Sequence, residues 1–192
     1  GGPAGGALMA LFGKRYADAV QRWRVPSGIA LAAAFVLLAD PVPPTLLLGL
    51  PFCLFGLALR AWAAGHLRKD EALTVSGPYA FVRNPLYLGS LVAALGCVIA
   101  AARAELALLA GAYFLLVYLP VVEQEEQHLR ELFPQYDGYA RRVRAFLPTL
   151  PERMPQQPFS LRLYLKNREQ RALYGFAAVY AFLALKLLWR GM

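Results

Sequence analysis

The sequence predicts an all-α protein, a polytopic membrane helix bundle with about five transmembrane helices. Three observations predict it. Hydrophobic residues make up 58% of the 192 residues and mean hydropathy is +0.43, too apolar for an ordinary soluble domain. The apolar residues fall in long uninterrupted runs rather than in alternation. The 20 Lys and Arg outnumber the 12 Asp and Glu, giving a net charge of +8, and they gather between alternate runs. That pattern suits anionic lipid headgroups and topology rather than nucleic acid.

Residues 1–25 form an N-terminal cytoplasmic segment whose glycine-rich start is expected to be a disordered tail. It has no cationic region ahead of an apolar core, so no cleavable signal is expected. A membrane core over residues 26–150 follows. Its first span covers residues 28–39, with Pro26 and Ser27 at its start, or else begins further back, near Trp23. Prolines 41, 43 and 44 stop that helix and open the second, residues 45–64. Near the inner end of this span Arg60 either snorkels to the headgroups or points inward to a polar cavity. The third span runs over residues 85–102 and the fourth over 106–122, joined by a hairpin turn at Arg103-Ala104-Glu105. A further helix begins near Glu123. Residues 151–192 read as a basic linker and an extra membrane or interfacial helix, with its apolar run over residues 172–189.

Cys53 and Cys97 each lie inside an apolar run and read as small hydrophobes, with nothing in their spacing to indicate a disulfide or a metal pair. His66 and His128 are the only histidines, and no Cys/His spacing supports metal binding. No phosphate loop, dinucleotide fingerprint or Ser/His/Asp set is present.

Lys14, Arg15, Arg22 and Arg24 precede the first span. Arg68, Lys69 and Arg83 lie between the second and third, and Arg141, Arg142, Arg144, Arg153, Arg162, Lys166, Arg168 and Arg171 between the fourth and fifth. This alternation puts the N-terminus, residues 77–87 and the Glu125 region on the cytoplasmic face. Residues 77–87 hold Gly77, Pro78, Tyr79, Arg83, Asn84, Pro85 and Tyr87, a poor way to begin a simple span. Pro85 removes a donor and biases Asn84 away from helical geometry, and irregular backbone at a membrane is tolerated where it lines a cavity. On the facing segment Glu126 reads as a surface partner of Arg130, whereas Glu125 is placed to bind a cation. Tyr136 and Tyr139, taken alone, read as interfacial belt residues.

The run Ser76-Gly77-Pro78-Tyr79-Ala80-Phe81-Val82-Arg83-Asn84-Pro85-Leu86-Tyr87-Leu88-Gly89 resembles the Gly-x-Tyr-x-x-x-Arg-His/Asn-Pro-x-Tyr-x-Gly motif of the isoprenylcysteine carboxyl methyltransferase superfamily, which includes phospholipid methyltransferase-like bacterial members. A second block, Glu125-Glu126, Leu129, Phe133-Pro134, Tyr136, Tyr139 and Val143, closing at Leu147-Pro148, is similar too. The similarity covers roughly residues 46–148. It implies a bacterial inner-membrane enzyme that holds S-adenosylmethionine in a cytoplasmic pocket between the blocks. Glu71, Leu73, Thr74, Tyr79, Asn84, Pro85, Tyr87 and Glu125 would bind the cofactor. Glu125 or Glu126 would act as base for an amine acceptor, and Arg60 would touch the substrate if it faces inward. Val121 stands where the prenylcysteine enzymes have a substrate-binding arginine. Valine cannot pair with a carboxylate, so the resemblance favours a lipid or lipophilic acceptor, by analogy an amine headgroup, over a prenylcysteine carboxylate. Two alternatives stand beside this reading: a small relative of the sterol reductases using a nicotinamide cofactor, and a non-enzymatic membrane protein.

The topology has a direct test. A probe cysteine at residue 104, in a background free of Cys53 and Cys97, is expected to label from the outer side only. Labelling exclusively from the cytoplasmic side would overturn the shared face of the two blocks.

Overall fold

The computed structural model describes residues 3–151 and 157–190. It is 75% helix, with no strand among the described residues. In chain order come α1 (Pro3–Leu38), α2 (Pro43–Ala64), a short 3-10 turn (Gly77–Ala80), α3 (Pro85–Ala101) and α4 (Ala104–Leu132). They are followed by α5 (Tyr136–Arg142), α6 (Leu161–Lys166) and α7 (Gln170–Arg190). Three stretches are long and apolar enough to cross a membrane: Pro43–Ala64, Ala104–Leu132 and Gln170–Trp189. Val25–Leu38 and Pro85–Ala101 are shorter apolar helices. The predicted first and third spans are these shorter pieces.

Two boundaries differ from the sequence expectation. The first helix does not begin at Pro26 but runs through it from Pro3, so the glycine-rich start is helical from residue 3 onward, while Gly1 and Gly2 lie outside the described residues. Arg153 of the basic linker lies outside them too. The fourth span does not end at Val122. It continues as one helix to Leu132, with a π turn over Phe114–Tyr118. Pro120 lies just beyond that turn and has no N–H to give the carbonyl of Leu116 four residues earlier. The Tyr16 hydroxyl of α1 donates to that carbonyl instead, at 2.8 Å. Local π geometry beside a proline is a common answer to a missing ladder bond.

The tightest contact joins α2 and α3, whose backbones touch through facing glycines. A Cβ on Gly56 would lie 2.5 Å from the Gly89 carbonyl, and one on Gly96 2.6 Å from the Gly49 carbonyl. Small residues let membrane helices approach this closely and so gain dispersion contacts that lipid cannot supply. Around this pair Phe35, Ala39, Cys53, Cys97, Ala100, Ala101, Leu106 and Leu183 form the buried core. Lys186 of α7 donates to the free carbonyls of Val36 and Leu37, at 3.2 and 2.8 Å. A cation at a helix C-terminus satisfies acceptors that the helix leaves open.

Candidate functional site

Gly77 begins the irregular segment with φ of +57°, and a Cβ there would meet the His66 ring at 2.6 Å. Both facts require glycine at this corner. The chain then turns through Tyr79 and Ala80, extends, and restarts as α3 with Pro85 in its first turn, where a missing N–H costs nothing. Residues 81–84 lie alongside residues 144–149. Arg83 N–H donates to the Arg144 carbonyl (2.9 Å), Asn84 N–H to that of Ala145 (3.2 Å), and Thr149 N–H to that of Phe81 (2.8 Å). Side chains tighten the pairing: Tyr139 Oη donates to the Tyr79 carbonyl at 2.7 Å and Arg83 Nη1 to the Ala140 carbonyl at 2.9 Å. The two sequence blocks are therefore hydrogen-bonded to each other.

Glu126 sits at the centre of this contact. Its Oε1 accepts from Asn84 Nδ2 at 2.9 Å and lies 3.1 Å from Arg83 Nη2, while Arg130 stands at 3.7 Å from Oε2. The residue is 8% exposed. The surface pair with Arg130 expected from the sequence is thus the longest of its contacts, and the carboxylate is turned to the first block. One position earlier, Glu125 Oε2 accepts the Tyr87 hydroxyl at 2.7 Å, and Tyr87 packs edge-on against Tyr118 with centroids 5.8 Å apart.

Glu125 and Tyr87 border a cavity of about 470 Å³. Of the residues singled out from the sequence, Leu73, Thr74, Tyr79, Asn84, Pro85, Tyr87 and Glu125 line it. Glu126 and Glu71 are not among its lining residues. Glu71 is exposed and ion-paired with Lys166, and that ammonium holds its carboxyl below the usual range. Tyr136 and Tyr139 are buried cavity residues rather than an interfacial belt. Burial pushes the phenols of Tyr79, Tyr136 and Tyr139 up, and the Glu125 carboxylate adds to the effect at Tyr79. All three stay protonated donors at neutral pH. The hydroxyls of Tyr79 and Tyr136 are buried and have no protein partner, which suits a site that donates hydrogen bonds to a ligand. Arg68 and Lys69 lie at the wall, with His128 3.5 Å from Asp70 at its exposed rim.

Arg60 points inward. Its Nε and Nη2 grip both oxygens of Glu169 at 2.5 and 3.0 Å, and Nη1 donates to the Leu86 carbonyl at 3.1 Å and to Ser90 Oγ. It lies outside the lining of the cavity, and its fork is filled by the chain's own groups. Neither Glu169 nor the anchoring role of Arg83 was visible in the sequence. The first lies 109 residues from its partner; the second sat inside the motif without an assigned role. Among the described residues no group of three or more His, Cys, Asp or Glu gathers to hold a metal ion.

Replacing Glu126 by Ala is expected to leave the buried Asn84 amide without its acceptor and the half-buried Arg83 without its counter-charge, at a cost of about 3 kcal/mol. Glu125→Ala, by contrast, should unfold near the wild-type temperature. Thermal unfolding in detergent checks both, and equal midpoints for Glu126→Ala and wild type would refute the anchor.

Three comparisons bear on this arrangement. The family described as phospholipid methyltransferase matches residues 45–136. The nickel-cobalt-cadmium resistance protein NccN of Alcaligenes xylosoxydans xylosoxydans is 37% identical over 93 residues, which are 47% of this chain and 44% of that relative. The cobalt-zinc-cadmium resistance protein CzcN of Cupriavidus metallidurans is 40% identical over 94 residues, 47% of this chain and 43% of the relative. The match thus spans less than half the length of each relative. No solved structure matches.

Proposed function

Because residues 45–136 belong to the phospholipid methyltransferase family, within the wider superfamily of isoprenylcysteine carboxyl methyltransferase-like membrane enzymes, we propose that the chain is an S-adenosylmethionine-dependent methyltransferase. Its acceptor on this reading is a membrane-resident lipophilic molecule, with a lipid amine headgroup favoured. The observation that carries the reading is the convergence of both blocks on one cavity of about 470 Å³ bordered by Tyr79, Tyr87, Tyr139 and Glu125. Aromatic faces with a carboxylate suit a compact organic cation, and the volume falls within the usual range for small-molecule sites.

When bound, S-adenosylmethionine supplies an electrophilic methyl group carried on a sulfonium. The chain's part is to hold, orient and exclude water, which in-line displacement requires in place of a nucleophile or metal. Tyr79, Asn84, Pro85 and Tyr87, with Leu73 and Thr74, would form the cofactor walls. The partnerless hydroxyls of Tyr79 and Tyr136 would donate to cofactor acceptors. Glu125 gives one oxygen to Tyr87 and keeps the other to hold an ammonium or take a proton from an amine acceptor. Glu126 is committed to Arg83 and Asn84, so we assign it positioning rather than proton transfer.

Acceptor charge follows from the cations at hand. Val121 borders the cavity with an apolar side chain, and Glu169 already neutralises Arg60. A carboxylate held at Val121, away from Arg68 and Lys69, would lie unpaired at a cost of several kcal/mol. Arg68 and Lys69 at the cavity wall suit the phosphate of a phospholipid. We put the cavity mouth on the cytoplasmic face from the alternation of basic segments. The relatives' names refer to metal resistance of those proteins; from them we carry over the shared segment and not that trait.

Calorimetric titration is expected to show S-adenosylhomocysteine binding and no NADPH binding. Tyr87→Ala and Glu125→Ala should weaken it by about 1–3 kcal/mol, roughly fivefold to 150-fold; wild-type affinity in both would remove the proposed pocket.

With isotopically labelled methyl donor, phosphatidylethanolamine vesicles are expected to gain label and a farnesylcysteine analogue is not. Robust methyl ester on the analogue, lost in Arg60→Ala, would overturn the amine reading and reinstate the carboxyl methyltransferase one.

A further inference from the structure

Arg60 of α2 and Glu169, just ahead of α7, meet edge to edge. The guanidinium takes both carboxylate oxygens, at 2.5 and 3.0 Å, the forked geometry in which arginine recognises any carboxylate. The two side chains are only 18% and 9% exposed, so salt screens the pair little. The backbone fixes Glu169 in this place. Asn167 ties its segment to the end of α2 through the carbonyls of Ala64 and Leu67. Arg168 then turns through the left-handed region, with φ of +56°, which a residue with a side chain adopts only where its surroundings hold it. The Glu169 carbonyl accepts the Ala172 N–H at 3.0 Å as α7 opens. The cation thus lies inside the family segment, residues 45–136, and its counter-charge lies outside it.

The pair stands at the edge of the candidate site. Arg60 Nη1 donates to the Leu86 carbonyl at 3.1 Å and to Ser90 Oγ. Leu86 lines the cavity of Glu125, and Ser90 lines a second cavity of about 470 Å³, almost wholly apolar, enclosed by α1, α3, α4 and α7. The buried Tyr79 phenol of the first cavity feels both charges, the Glu169 carboxylate pushing it up and the Arg60 guanidinium pulling it down. We propose that Glu169 is a specificity-determining residue: its carboxylate fills the Arg60 fork and so shuts out amphiphilic acceptors that carry a carboxylate. An incoming carboxylate meets a guanidinium that is already neutral. To take the fork it has to displace Glu169, which then lies buried without its partner, a state that ion pairs strongly resist. A head group without a carboxylate makes no demand on Arg60 and meets no such barrier. Selectivity of this kind comes from denying a partner to the wrong ligand rather than from added attraction to the right one. The filter deepens the methyltransferase reading and rests on it for the acceptor's role, although exclusion itself is a binding step.

The test compares a farnesylcysteine analogue with its methyl ester, which differ only in the acidic group, by calorimetric titration of the purified full chain in detergent. The wild-type chain is expected to bind the ester at least as tightly as the acid. Glu169→Ala empties the fork, and the acid should then gain about tenfold or more over the ester, as a hydrogen-bonded charge allows. Glu169→Gln, which keeps the size and removes the charge, should move the ratio in the same direction. Arg60→Ala added to Glu169→Ala should return the ratio to its wild-type value. Tighter binding of the acid by the wild-type chain would overturn the proposal. So would an unmoved ratio in both Glu169 variants, or a gain that survives the loss of Arg60. If Glu169→Ala fails to fold, judged by helical circular dichroism and a single gel-filtration peak, Glu169→Gln decides, alone and combined with Arg60→Ala. S-adenosylhomocysteine titrated into the same preparations separates the two readings. A switched ratio without cofactor binding removes the methyltransferase and keeps the filter, whereas cofactor binding with an unmoved ratio removes the filter alone.

Discussion

A single buried carboxylate sets the geometry of this site. Glu126 is withdrawn from solvent, which is costly for a charge unless its oxygens are well paired. Arg83 and Asn84 provide the pairing, and both belong to the irregular segment that precedes α3. Asn84 is followed at once by Pro85, so fixing the asparagine fixes where α3 starts and how it is rotated. Tyr87, in the first turn, is thereby aimed at α4. The neighbouring acid receives it, because consecutive residues on an α-helix point about 100° apart. Glu126 faces the extended segment and Glu125 faces the cavity. Two adjacent, chemically identical side chains thus take different tasks through helix geometry alone.

The second constraint is the glycine contact between α2 and α3. Close backbone approach leaves little room for side chains, which is why the polar groups on this interface find partners in it or at its ends. Cys53 Sγ donates to the Ala93 carbonyl at 3.3 Å, and Arg60, a few turns along α2, reaches Leu86 and Ser90 of α3. Leu86 lines the polar cavity and Ser90 the apolar one. The guanidinium and the Tyr87–Tyr118 contact therefore stand between the two spaces. A cavity lined by charged and aromatic side chains and an almost wholly apolar one thus lie side by side.

How much of this was legible in the sequence depended on the range of the interactions. Helix class and the two chemical blocks were readable because each is local. The end of α4 was not: Glu123 to Glu126 look like a new start, yet the change from apolar to charged residues marks a change of surroundings along one unbroken helix. Pro26 misled for a related reason, since proline weakens a helix locally and packing against α4 carries α1 through it. The pairing of residues 81–84 with 144–149 leaves no periodic signal, as it rests on three backbone bonds between irregular segments. Burial of Glu126 was hidden by Arg130, whose i,i+4 spacing offered a ready but weaker partner. Cys53 and Cys97 lie 44 residues apart and become neighbours only through the glycine contact.

The segment that matches the family ends at residue 136, yet the site it contains leans on residues well beyond it. Residues 144 and 145 hold the backbone of Arg83 and Asn84. Further on, the Ser160 amide donates to the Gly65 carbonyl, and Asn167 Nδ2 donates to the carbonyls of Ala64 and Leu67. The Ser76 hydroxyl, itself 3.2 Å from His66 Nδ1, donates to Gln157. Together with the Lys166–Glu71 pair, these contacts brace both ends of the loop from which Leu67 to Asp70 and Ala72 to Thr74 line the cavity. Glu169 adds the counter-charge that lets Arg60 lie half-buried. The family segment supplies most of the side chains that line the cavity, and the C-terminal segment braces the loop and sets the local charge around them. Changes beyond residue 150 can therefore reshape the cavity wall while leaving every residue of the two blocks in place.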